Sequence, residues 1–134
     1  MRHLLALPFA CIMLGACAAS GGPGAPAARA ITLAPGESRQ LASGATLRFD
    51  EAEDSRCPPG VRCVWAGKLS CRFSLVPAHP GGAAPESFTL VPGEPAHASP
   101  LLGGARLALD EASLPAPAAP DSPRNHRVTV KLLP

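Results

Sequence analysis

Beyond about residue 30, apolar and polar residues alternate along much of the chain, and period two marks a strand with one buried face. Leu69, Cys71, Phe73 and Leu75 interleave with Lys68, Ser70, Arg72 and Ser74. Val128, Val130 and Leu132 do the same against Arg127, Thr129 and Lys131, and Leu47 and Phe49 against Arg48 and Asp50. Ile31 and Leu33, and later Phe88 and Leu90, open further strands that run into Pro-Gly pairs, where proline pre-sets the first corner and glycine accepts the second. No proline-free window has a convincing helical period; Leu107 to Leu114 comes nearest, and alternation accounts equally well for its first half. The pattern predicts an all-β domain: an antiparallel sandwich or squat barrel of seven to eight short strands.

These strands come in two sets. Thr32-Leu33-Ala34-Pro35-Gly36-Glu37 recurs as Thr89-Leu90-Val91-Pro92-Gly93-Glu94, five identities in six. Gly44 to Ala52 recurs as Gly104 to Ala112, six identities in nine, and Arg72-Phe73-Ser74-Leu75 has the pattern of Arg127-Val128-Thr129-Val130. Two ordered block matches point to two duplicated β modules, against the plainer reading that β-proteins reuse Pro-Gly turns and alternating strands anyway.

The N-terminus has a different texture. Arg2 and His3 precede an apolar run from Leu4 to Leu14 broken only by Pro8, which is the length of a signal-peptide core and about half that of a spanning helix. The run ends in Leu14-Gly15-Ala16-Cys17, which resembles the lipobox of bacterial lipoproteins. That resemblance implies a signal peptide over 1–16 and a diacylated, N-acylated Cys17 as the mature N-terminus, with palmitate-type chains holding the protein in a membrane. The alternative is an ordinary secretory signal cut after Ala16 or Ala19. Ala18, not Asp, follows the cysteine, which by analogy with Gram-negative sorting points to the outer membrane, facing the periplasm. Residues 17–29 continue as an Ala/Gly/Pro tether with nothing to bury. The folded part is then a single domain over 30–134.

Composition narrows the functional classes. The chain has 17 Pro, 13 Gly, one Trp and no Tyr in 134 residues, with a formal net charge of +2. A weak charge and so few aromatics argue against a nucleic-acid partner. No nucleophile elbow, zinc-hydrolase spacing, phosphate loop or carboxylate pair with aromatic subsites is present, so the expectation is a protein that is not an enzyme and carries no cofactor or metal.

The most distinctive stretch runs from Glu53 to Gly67. In an exported chain, Cys57 and Cys63 around Pro58-Pro59-Gly60 read as a disulfide; a metal site is the rival, and would need Cys71 and His79 to complete it. Cys71 is then left over and suits a small buried hydrophobe. Trp65 suits a core plug beside the disulfide more than an exposed platform. Asp50, Glu51, Glu53 and Asp54 form the one acidic cluster, read as a solvated, arginine-paired turn in preference to a cation site. Arg56 has the alternative of a bidentate pair with Asp54 or Glu53 that would pin the loop.

Asp54-Ser55-Arg56-Cys57-Pro58, four residues, then Cys63-Val64-Trp65-Ala66-Gly67 resembles a motif of small bacterial lipoproteins and secreted proteins, a family of compact β-domains with no established activity to transfer. The similarity extends from about Ile31 to Leu75, and Cys71 departs from that family's two-cysteine pattern. Taken together, the expectation is a lipid-anchored cell-envelope protein with a binding or structural role, whose candidate binding loop carries Arg56, Arg62 and Trp65. A membrane through the anchor and a periplasmic protein are its expected partners. Two alternatives stand beside it: a periplasmic inhibitor that uses the stapled 57–67 loop, and a metal-binding envelope protein.

Overall fold

A computed structural model describes residues 29–119 and 126–134. The signal segment, Cys17 and the tether up to residue 28 lie outside the described residues, as does part of the Leu114 to Arg124 stretch. The described residues form eight strands: β1 (Arg29–Leu33), β2 (Ser38–Gln40), β3 (Thr46–Asp54), β4 (Leu69–Val76), β5 (Glu86–Leu90), β6 (His97–Ala98), β7 (Arg106–Leu109) and β8 (Val128–Leu133). Two 3-10 turns, Pro100–Leu102 and Glu111–Ser113, flank β7, and the described residues contain no α-helix. The strands form two antiparallel four-stranded sheets, in the orders β1-β8-β7-β6 and β2-β3-β4-β5. The architecture is a sandwich, not a closed barrel.

The alternating strands bury the faces that their patterns assign. Leu69, Cys71, Phe73 and Leu75 are buried on β4, Leu47 and Phe49 on β3, and Val128 and Val130 on β8. With Leu33, Leu90, Leu107 and Leu109 they make one core between the sheets. Phe49, Phe73 and Phe88 lie directly opposite one another across β3, β4 and β5 and stack at 4.9 and 5.8 Å between ring centroids. Offset aromatic pairs of this kind are worth about 1 kcal/mol beyond the area they bury.

The sheet orders carry a repeat. Reading the second sheet as β2-β3-β4-β5 and the first as β6-β7-β8-β1, each strand is replaced by the one four places on in the chain. Each half thus lends its first strand to the other: β5 closes the sheet of β2 to β4, and β1 closes the sheet of β6 to β8. Registers follow the same rule. Cys71 faces Leu90 and Val128 faces Leu33, while Leu47 faces Leu75 and Leu107 faces Leu132. The Ala34–Glu37 and Val91–Glu94 turns are also alike, each closed by a hydrogen bond from the Glu amide to the first residue's carbonyl.

One element of the repeat is corrected. Arg72 corresponds in register to Thr129, since it faces Thr89 as Thr129 faces Thr32. The similarity of Arg72 to Arg127 is therefore two residues out of step. A two-residue slip keeps every side chain on its face, so alternation alone does not detect it.

The two halves diverge after the sixth position of the second block, Phe49 in one and Leu109 in the other. Strand β7 stops at Leu109, and Asp110 caps a 3-10 turn by accepting from the Ala112 amide. Strand β3 instead passes through a bulge between Phe49 and Glu51 and continues to Asp54. The acidic cluster is therefore part of a strand and not a turn. Its arginine pairing is present: Glu51 pairs with Arg72, Asp50 with Arg48, and Asp54 with Arg56.

Candidate functional site

A bulge adds one residue and so exchanges the faces of everything after it. Before it, Leu47 and Phe49 point into the sandwich; after it, Ala52 and Asp54 do, opposite the buried Cys71 and Leu69. A carboxylate thus arrives at the end of an apolar core. Burying it without a partner would be costly. Arg56, two residues on, supplies that partner: its Nε donates to Asp54 Oδ1 at 2.8 Å and its Nη2 to Oδ2 at 2.7 Å, and the Arg56 amide donates to Oδ1 at 3.1 Å. Of the two acids open to Arg56 in the sequence, the bulge therefore selects Asp54 and leaves Glu53 outside.

The pair is nearly dry, with side-chain exposures of 5% for Asp54 and 21% for Arg56. The arginine's hydrogen bonds hold the Asp54 carboxyl below the usual carboxylate range against the opposing effect of burial, and Asp54 in turn raises the guanidinium. Arg56 Nη2 also donates to the Pro115 carbonyl at 2.9 Å. The β3–β4 loop is in this way tied to the β7–β8 connection, its counterpart in the repeat. Buried His126 completes the cluster, with Nδ1 at 3.9 Å from Asp54 Oδ2 and Nε2 without a hydrogen-bond partner among the described residues. Burial pushes the nearby Cys71 thiol up to about 11, so it packs as a neutral, inert group.

Above this base stands the loop. Ser55 and Lys68 exchange backbone and hydroxyl hydrogen bonds, and the Cys57 amide donates to the Ala66 carbonyl at 3.0 Å. Cys57 and Cys63 are disulfide-bonded with their Cα atoms 5.8 Å apart, and the Val61 amide closes a turn onto Pro58 between them. The chain-entropy model gives a ring of this size about 2.4 kcal/mol. Replacing both cysteines by serine is therefore expected to lower unfolding free energy by about 2 kcal/mol, checked by urea denaturation with and without reductant.

Trp65 is where the structure overturns the sequence reading. It is 75% exposed and fills no part of the core; Val64 beside it is fully exposed, and Val61 is 45% exposed. The apolar tip borders a shallow cavity lined by Ser55, Trp65, Ala66, Gly67 and Lys68. Arg62 is exposed on the same loop and makes no ion pair among the described residues. Of the three side chains assigned to a binding loop, Trp65 and Arg62 are available at its tip, whereas Arg56 is its foundation. The sequence did not single out Val64 or His126, since a lone valine after a cysteine and a histidine before a strand carry no local signal.

Among the described residues no three or more His, Cys, Asp or Glu side chains are grouped to hold a metal, and no helix is long and apolar enough to cross a membrane. No protein-family model, curated protein or solved structure matches the chain.

Proposed function

We propose that this protein is a non-catalytic, lipid-anchored cell-envelope domain that binds a periplasmic protein through the tip of its stapled loop. The observation that supports it most is the exposure of Trp65 together with Val64 on a loop held by a disulfide, a turn and a buried ion pair. Isolated exposed valines need no explanation, but a rigid loop that spends its only tryptophan on solvent suits a binding anchor. Rigidity lowers the entropy lost on docking.

The direction of the loop agrees with an anchored domain. Strand β1 begins at Arg29 beside Leu132 and ends at Leu33 beside Val128. His126, at the base of the loop, lies two residues beyond Val128. Four residues of strand, roughly 13 Å, separate the levels of Leu132 and Val128, and His126 lies two residues further on. A tether attached before Arg29 therefore leaves the loop on the far pole, away from the membrane. The same rigid tip is what an inhibitor would insert into an enzyme's cleft, and identifying the partner separates that case from a structural contact.

The test places a photo-crosslinking residue at Val64 in cells. A discrete adduct is expected, and Trp65→Ala is expected to weaken partner affinity about thirtyfold, in line with the loss of a hot spot of about 2 kcal/mol, while changing stability by less than about 0.5 kcal/mol. Adducts from the opposite pole but none from Val64 would overturn the reading. Labelling with an acyl-chain probe, compared with Cys17→Ser, tests the anchor separately.

A further inference from the structure

The two seams of the sandwich, where an edge strand of one sheet meets an edge strand of the other, are related by the repeat but chemically opposite. At the β5/β6 seam Glu86 accepts from or pairs with His97 Nε2 at 3.2 Å, and the His97 ring stacks on Phe88 at 3.8 Å between centroids. That seam is closed. In register, β1 takes the place of β5 and β2 that of β6, so Arg29 stands where Glu86 does, Ile31 where Phe88 does, and Arg39 where His97 does. The attractive pair is thus replaced by two arginines, and the aromatic stack by an isoleucine and a guanidinium.

This second seam is open. It holds a groove of about 380 Å³ against buried Leu41 and half-buried Ile31 and Leu132, with the exposed Ala30, Arg29 and Arg39 also lining it. Neither arginine has a carboxylate partner among the described residues. Like charges at the mouth of an apolar groove disfavour closure and favour an anionic amphiphile. The position of the groove narrows the occupant. On the lipid-anchored reading, residues 17–28 join the anchor to Arg29, the residue at the groove's rim, so this is the pole at which the tether attaches. Arg106, paired with Leu133, adds a third exposed cation to the same pole.

We infer that the β1/β2 groove is a docking surface for anionic phospholipid, with Arg29 and Arg39 on the headgroup phosphates and the apolar floor against the first acyl methylenes. It rests on the lipid-anchored reading and gives it an orientation: the domain sits on the bilayer by this pole and holds the stapled loop outward. A basic residue close to an anionic surface contributes about fivefold to partitioning, so the pair contributes about 25-fold.

The test uses the full mature protein purified from membranes and reconstituted in vesicles of phosphatidylcholine alone or with added phosphatidylglycerol, read by amide hydrogen exchange. Residues 29–33 and 39–42 are expected to exchange several-fold more slowly in the anionic vesicles. That protection should disappear in Arg29→Glu/Arg39→Glu, fade as salt is raised, and also be lost in Ala42→Asp, which places a carboxylate on the groove. Unchanged melting temperatures show that the exposed variants fold. Equal exchange in both vesicle types, or protection that survives both arginine substitutions, overturns the inference, and so does protection centred on Val64 and Trp65. Intact mass reports acylation independently. If the acyl groups are absent, the anchored reading fails, and flotation of the soluble protein with the same vesicles still decides whether the groove takes anionic lipid.

Discussion

Gly67→Ala is expected to dismantle the base of the stapled loop, at a cost of about 3 kcal/mol or more. Gly67 has φ of 69°, and a Cβ placed on it would lie 1.8 Å from the Ser55 carbonyl oxygen and 2.9 Å from the Arg56 Cα. Both neighbours are backbone, so no side chain can swing aside. Relief requires the two arms of the loop to separate. That sacrifices the Ser55–Lys68 and Cys57–Ala66 backbone hydrogen bonds, each worth about 1 kcal/mol, on top of about 1–2 kcal/mol for a left-handed non-glycine residue. Gly93→Ala is the control. Its φ is 81°, but nothing lies within 4 Å of the added methyl, so it should lose only the conformational part, about 1 kcal/mol. Urea denaturation of both variants separates collision from strain. Because the disulfide and the rest of β3 and β4 stay in place, Gly67→Ala should still fold, with faster amide exchange confined to 55–68. Equal losses in the two variants would show that the close approach of Gly67 to Ser55 has no energetic consequence.

The second large effect concerns Asp54 and Arg56. Arg56→Ala leaves a carboxylate facing the core with only His126 nearby, and removing one partner of a buried pair costs about 3–5 kcal/mol. Arg56→Lys should recover only part of this, since an ammonium cannot reproduce the bidentate fork or reach the Pro115 carbonyl in the same geometry. The pair also gives stability an acid limb. Arg56 holds Asp54 below its ordinary value of about 3.9 in the folded protein. The pair's contribution is therefore fully present above that ordinary value and is lost as pH falls through the lower folded one. Wild type should lose stability as pH falls below about 4. Asp54→Asn should start lower at neutral pH and show a flatter acid limb, measured by denaturation at pH 7 and pH 3. Parallel pH profiles for the two proteins would remove Asp54 as the origin of the limb.

Both predictions concern a site that was half legible. The cysteine pair, the Pro-Pro-Gly turn and the option of an Asp54–Arg56 fork are local: each depends on residues within a few positions of one another, and local chemistry survives in a linear string. Trp65 was misread for the opposite reason. A tryptophan beside a disulfide can turn inward or outward, and the choice depends on whether the sandwich leaves a space for it. Here Leu69, Cys71 and the Asp54–Arg56–His126 cluster occupy that end of the core. The bulge was equally hidden. Asp50-Glu51-Ala52 reads the same with or without an extra residue, yet the bulge decides which of four acids enters the interior.

What the sequence determined by itself was the longer strands, the face that each buries outside the β3 bulge, the repeated turns and the staple, because alternation, turn chemistry and ring closure all act over a few residues; β2 and β6 are too short to alternate. What only the tertiary structure decided was partnership: that each half completes the other's sheet, that Arg72 aligns with Thr129, that one seam closes on Glu86 and His97, and that the other opens between Arg29 and Arg39. Pairings of strands many residues apart depend on how whole sheets bury their faces, and alternation with a period of two fits several registers equally well.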